Sequence, residues 1–223
     1  MNAPAAYSSR KSGLGLVFGA AAVILVLIVL VAQLPLASQK SIVAEGGLFE
    51  VASMLGYIGC IVLLFVLWPR EAVWSKWYFV VVLAVCAARE LDLDKIPFTE
   101  GLLKLRQYTG DTVGPVELVI SAAILLGIIA SCLILLRRET RAFLAGLARF
   151  DAASVAVLLG VVFLVFSKSI DGIARKLEPF GISVSEDQNN LFGVIEEVGE
   201  FGIPLMFAIA IILISRSPFG RDG

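Results

Sequence analysis

The sequence predicts an all-α integral membrane protein, a bundle of six transmembrane helices with both termini in the cytoplasm. Three observations carry that reading. The chain of 223 residues is 59% apolar and has a mean hydropathy of +0.93, more apolar than a soluble domain of this size. Six apolar stretches approach or exceed the roughly 20 residues that one crossing needs. Lys and Arg are divided unequally between alternate connections, and short loops rich in them stay on the cytoplasmic side.

A polar tail, residues 1–12, carries Arg10 and Lys11. The first span, residues 14–36, is about twice the length of a signal-peptide core, and Ala37 is a mediocre cleavage residue, so a retained helix is expected. Span two covers residues 48–68 and span three residues 77–92. Span three is the shortest, because its outer end is charged. Span four, 115–136, starts at Pro115, a favoured first-turn residue, and stops at the Arg137-Arg138 pair. Span five is 152–173. Span six, 191–215, contains Pro204, an expected kink. Residues 13–215 thus form one membrane domain, with 216–223 as a second cytoplasmic tail. No repeat of two three-span halves is evident.

With the N-terminus inside, the inner side holds ten basic residues against Glu71, Glu139, Asp151 and Asp222. The 137–149 loop alone supplies four Arg. The outer side holds eight basic residues against fifteen acids. The expected home is a bacterial-type cytoplasmic (inner) membrane, and the expected surroundings are lipid, with a homo-oligomer or another membrane protein as the compatible partners. Nothing points to nucleic acid. The connection 99–108 reads as a short amphipathic surface helix with Leu102, Leu103 and Leu105 on its apolar side, or as an ordinary ordered loop.

Several acids fall inside the apolar stretches, where an ionisable group costs several kcal/mol unless paired or wetted. A helix advances about 100° per residue, so Glu196, Glu197 and Glu200 share one arc of span six. Lys168, Asp171 and Arg175 share a face of span five. Glu50, Ser53 and Tyr57 share one on span two, Glu90 and Asp94 on span three, and Glu117 and Ser121 on span four. Lipid offers these faces no hydrogen bonds, so they are expected to converge on a polar pocket open to the outside. The candidate ligand-binding residues are Glu50, Glu90, Lys168, Asp171, Arg175, Glu196, Glu197 and Glu200, with Glu197 and Glu200 as candidate metal ligands.

The chain has no His. That excludes zinc–histidine sites, haem held by His and Ser-His-Asp triads. No nucleotide-binding glycine loop is present. Cys60, Cys86 and Cys132 lie in separate spans without a CxxC pair and read as core residues. Carboxylates without His suit a divalent cation such as Ca, Mg or Mn. Ser167 and Ser169 flank Lys168, but sequence neighbours do not face each other on a helix, which disfavours a Ser-Lys nucleophile.

Three functions compete. In the leading one, the pocket binds a cation or cationic group, and a bound metal could support membrane-embedded hydrolysis. The second is a small transporter or channel subunit. Its difficulty is that the inner halves of the spans carry no charge. The third is a structural or partner subunit, with Lys168, Arg89 and Arg175 neutralising the acids. Against it, Glu50, Glu90, Asp92, Asp171, Glu196, Glu197 and Glu200 make seven carboxylates against those three cations. Gly56 and Gly59, with Gly199 and Gly202, are expected to let spans two and six approach closely. Trp68, Trp74 and Trp77 are expected to form an interfacial belt at the inner boundary.

Overall fold

The computed structural model describes residues 3–216 apart from positions 45 and 94, and residues 3–12 by their backbone alone. The described residues are helical or irregular, with no strand. The helices are α1 (Ala3–Ala32), α2 (Leu36–Ile42), α3 (Leu48–Leu67), α4 (Arg70–Ser75), α5 (Trp77–Glu90), α6 (Arg106–Thr109), α7 (Pro115–Ala148), α8 (Ala152–Ile170), α9 (Ile173–Leu177) and α10 (Glu186–Ser215). Five of them, α1, α3, α7, α8 and α10, are long and apolar enough to cross a membrane, consistent with a multi-pass integral membrane protein. The third expected span is α5, whose 14 residues rise only ~21 Å against a hydrocarbon core of ~30 Å.

Four boundaries differ from expectation, each for a local reason. The first helix stops at Ala32 rather than residue 36, because Pro35 disfavours helical backbone at Leu34 before it. The fourth runs on to Ala148. Its Arg137-Arg138 pair marks a change of solvent and does not end the helix. The fifth ends at Ile170, and Gly172, at φ 59°, turns the chain into α9. The sixth starts five residues early, at Glu186. There Ser185 accepts the Gln188 amide, and the Gln188 side chain accepts the Ser185 amide, a capping box.

The bundle is organised around α10. Of its best apolar window 56% is buried, against 28% or less in the other four candidate spans. Three apolar clusters all include it. Val17 of α1 packs with Ala152, Val155 and Ala156 of α8 and Met206, Ile209 and Ala210 of α10. Tyr57, Cys60 and Leu64 of α3 pack with Leu83 and Ala87 of α5 and Ile203 and Ile211 of α10. Ile24 and Val31 of α1 pack with Phe49, Val194 and Val198. Val17, Ile24 and Val31 recur every seven residues, so one stripe of α1 is buried and the rest faces outward. By contrast α7 packs mainly along α5 and α8, and only 11% of its window is buried.

Small residues set the close crossings. A Cβ at Gly56 would lie 2.9 Å from the Pro204 ring, one at Gly199 2.5 Å from the Ser167 hydroxyl, and one at Gly202 3.0 Å from Phe163. So Gly56 does join α3 to α10, while Gly199 and Gly202 serve the crossing with α8. Gly59 faces open space and serves neither. Cys60 is buried and donates to the Pro204 carbonyl at 3.3 Å. Trp68 packs edge-on against Phe79, and Trp74 and Trp77 are exposed.

The chain between α5 and α7 is an ordered loop with one short helical turn, α6. Leu102 is buried, whereas Leu103 and Leu105 are exposed, so no amphipathic helix spans 99–108. Glu117 fastens this loop. Its carboxylate accepts the Thr99 amide at 2.6 Å, the Thr99 hydroxyl at 2.9 Å and the Gln107 side chain at 2.9 Å. At the opposite end of the bundle Glu139 accepts from Lys76 at 2.8 Å and from the buried Tyr78 hydroxyl at 2.5 Å, joining α7 to the start of α5.

Candidate functional site

The starts of α3 and α10 and the ends of α5 and α8 lie at one end of the bundle. That brings most of the expected site residues together. Lys168 is the centre, two residues before the end of α8. Its ammonium lies 2.5 Å from Glu200 Oε1, 3.8 Å from Asp171 Oδ2 and 3.9 Å from Glu196 Oε1. Glu200 is buried, at 8% exposure. Its oxygen meets the ammonium as an ion pair, off the axis of a hydrogen bond.

Glu200 also stands one turn before Pro204. Proline has no N–H, so the Glu200 carbonyl loses its regular helical donor. Backbone and side chain therefore both present negative oxygens near one level of α10. The ammonium of Lys176, which sequence spacing did not single out, caps the end of α8 by donating to the Lys168 and Ser169 carbonyls at 3.2 and 3.5 Å. It reaches them because Gly172 folds α9 back. Lys176 is also within electrostatic reach of Glu196.

Glu197 and Glu90 form the other part. Each is half-buried, and neither makes a hydrogen bond or ion pair with a described residue. The strongest charged neighbours of Glu197 are four carboxylates, those of Glu200, Glu196, Glu50 and Glu90. Glu90 is within electrostatic reach of Glu200, Arg89, Lys168 and Glu50. Glu50 has a local partner, since its carboxylate accepts the Gly46 amide at 2.6 Å. Below it, Ser53 is fully buried with an unpartnered hydroxyl. Tyr57, a turn further on, is in electrostatic reach of Glu90 and Glu200. Ser167 is likewise fully buried and unpartnered, against Gly199.

Other residues grouped with these by sequence lie elsewhere. Asp92 pairs with Lys95 at 2.6 Å. Arg175 is exposed and ion-pairs with no described residue. Arg89 is exposed and lines the groove between α5 and α7. Glu117 and Ser121 belong to the loop anchor, with Ser121 3.5 Å from the Gln107 amide nitrogen. Asp94 is outside the described residues, so its pairing with Glu90 is too. Among the described residues no three His, Cys, Asp or Glu side chains come close enough to share a metal ion.

Compared with known proteins, the chain matches no family model, no curated protein and no solved structure.

Proposed function

We propose that this protein is a six-span inner-membrane protein whose outer end carries a carboxylate-rich pocket for a cation or cationic group. In that reading α5 is the third crossing, shortened by its charged outer end, and both termini are cytoplasmic. The arginines of the 137–149 segment support this orientation.

One observation carries the ligand reading: the strongest charged neighbours of Glu197 are carboxylates, and neither Glu197 nor Glu90 forms an ion pair with a described residue. Grouped carboxylates repel, and a positively charged guest relieves them. The unpartnered Ser53 hydroxyl supports a polar guest on the same side, since an unsatisfied buried hydroxyl costs about 1–3 kcal/mol. Lys168 already satisfies Glu200. The guest therefore belongs on the Glu90–Glu197 side, with Glu50 contributing charge.

The test is a thermal-stability titration of the purified protein with Ca2+, Mg2+, Mn2+ and a small organic ammonium, on wild type and on the Glu90→Gln/Glu197→Gln variant. A rise in the wild-type midpoint that the double variant lacks is expected. No shift with any of the four cations overturns the proposal. Orientation is checked by cysteine labelling, where Lys104→Cys should react from outside and Arg141→Cys only after permeabilisation.

The Lys168–Glu200 contact favours a second reading, a structural network. A direct ion pair at 2.5 Å joins α8 to α10, as a packing device does. That reading accounts for Lys168, Glu200, Glu196 and Asp171. It leaves Glu90 and Glu197 unexplained.

A further inference from the structure

At the end of the bundle away from the carboxylates, α7 outruns the bilayer. Its 34 residues rise ~50 Å against a hydrocarbon core of ~30 Å. Its outward face changes character on the way. Val119, Leu126 and Leu133 are exposed and recur every seven residues, so they form one stripe on the open side of the helix. Arg137, Arg141 and Leu144 continue that stripe, within about 40° of one direction, and are exposed as well.

The turn after α7 stays close to the apolar core. Ala152 and Val155, at the start of α8, are buried with Val17 of α1 and Met206, Ile209 and Ala210 of α10, and a Cβ at Gly146 would collide with the Ser154 hydroxyl. Phe150 in this turn is 67% exposed. Its φ of 52° is a left-handed conformation that bulky side chains rarely adopt. The Phe150 amide donates to the Leu147 carbonyl and the Asp151 amide to the Gly146 carbonyl, both at 2.9 Å, so Phe150 holds the place that Gly usually takes after a helix. In water the exposed ring offsets none of that strain, whereas among headgroups it gains an apolar setting.

The charge here is unbalanced. The side chains of Arg137, Arg141 and Arg149 make no hydrogen bond or ion pair with a described residue. Glu139 is occupied by Lys76 and Tyr78, and Asp151 caps α8 by accepting the Ser154 amide. Glu71, beside Arg70 on α4, is the remaining acid described at this end. Guanidinium is well matched to a phosphate ester, and a cluster of basic residues beside a span attracts anionic lipid.

We propose that the segment from Arg137 to Phe150 is a docking surface for anionic phospholipid. Phosphates pair with Arg137, Arg141 and Arg149, acyl chains run along Leu133, Leu126 and Val119, and Leu144 and Phe150 sit among the headgroups. Each arginine at such a surface favours an anionic over a zwitterionic lipid by about fivefold.

Native mass spectrometry of the detergent-purified full chain tests this, with phosphatidylglycerol and phosphatidylcholine of identical acyl chains added in turn. Wild type should retain phosphatidylglycerol better, and Arg137→Gln/Arg141→Gln should cut that preference by about fivefold per arginine removed. Phe150→Gly suits the left-handed backbone, so the unfolding midpoint should hold or rise while retention of both lipids falls. Equal retention of the two lipids by wild type, or an undiminished preference in the double variant, overturns the headgroup contact. Retention unchanged in Phe150→Gly overturns the place of the ring. Poly-glutamate bound by wild type while the two lipids are held equally would give the patch to an acidic partner and overturn the proposal.

Discussion

Replacing Lys168 by Met should destabilise the protein far more than replacing its partner. Lys168→Met keeps the length of the side chain and removes the ammonium. Glu200, only 8% exposed, then loses its 2.5 Å contact, and Glu196 and Asp171 lose the cation they share. Breaking a buried pair by removing one partner costs about 3–5 kcal/mol. The Lys168 side chain is 30% exposed, so solvent screening brings the expected cost to about 2–3 kcal/mol. At roughly 2–4 °C per kcal/mol for a chain of this length, the unfolding midpoint should fall by about 4–12 °C. Glu200→Gln should cost less, because Lys168 keeps two carboxylates within 4 Å. Lys168→Met/Glu200→Gln should be more stable than Lys168→Met alone, since the buried carboxylate is gone. The assay is thermal unfolding in detergent with a chelator present, which keeps divalent cations out of the comparison. Costs that simply add, with a coupling below about 0.5 kcal/mol, would refute the assignment of Lys168 and Glu200 as one unit.

Three further perturbations separate other parts of the structure. Gly56→Ala should destabilise by about 1–3 kcal/mol through overpacking, because the Pro204 ring at 2.9 Å cannot rotate away. Gly59→Ala should be neutral or stabilising by up to about 1 kcal/mol from helix propensity, and both are read by thermal unfolding. Glu117→Ala removes the acceptor of three hydrogen bonds from the 99–107 loop, so amide exchange at Thr99 should accelerate while exchange in α10 stays unchanged. Tyr78→Phe leaves Glu139 its Lys76 partner and should cost about 1 kcal/mol, whereas Glu139→Ala should cost more, because it strips both Lys76 and the buried Tyr78 of their acceptor.

The starts of α3, α5, α7 and α8 were legible because apolar runs begin there at Leu48, Trp77, Pro115 and Ala152. Ends were harder. Charge at Arg137 shows where hydrocarbon stops, but a helix needs no apolar residues to continue through water, so α7 extends to Ala148. The start of α10 was written in Ser185 and Gln188, a capping pair that hydropathy overlooks. Relative angles on one helix were also legible, which is why Glu196, Glu197 and Glu200 share a face. The absolute orientation of a helix was not. Arg89 and Glu90 diverge by about 100°, and only the positions of α7 and α10 decide that one faces the groove and the other the carboxylates. The same limit misplaced Glu117 and Ser121, whose neighbour proved to be a loop rather than another span.

The excess of acids read from the sequence narrows sharply once partners are assigned. Lys168 serves Glu200, Glu196 and Asp171, Lys95 serves Asp92, and the Gly46 amide serves Glu50. Glu90 and Glu197 remain. They stand on α5 and α10, with Glu197 two turns before Pro204, the level at which Gly56 admits α3. Below that level α10 presents Ile203, Met206, Ile209, Ala210 and Ile211, all buried, against apolar side chains of α3 and α8. A conducted ion needs oxygens along its whole path, whereas a bound one needs them only where it rests. In the proposed reading, the carboxylates at the polar end therefore stand over an apolar floor that offers a bound cation no onward oxygens.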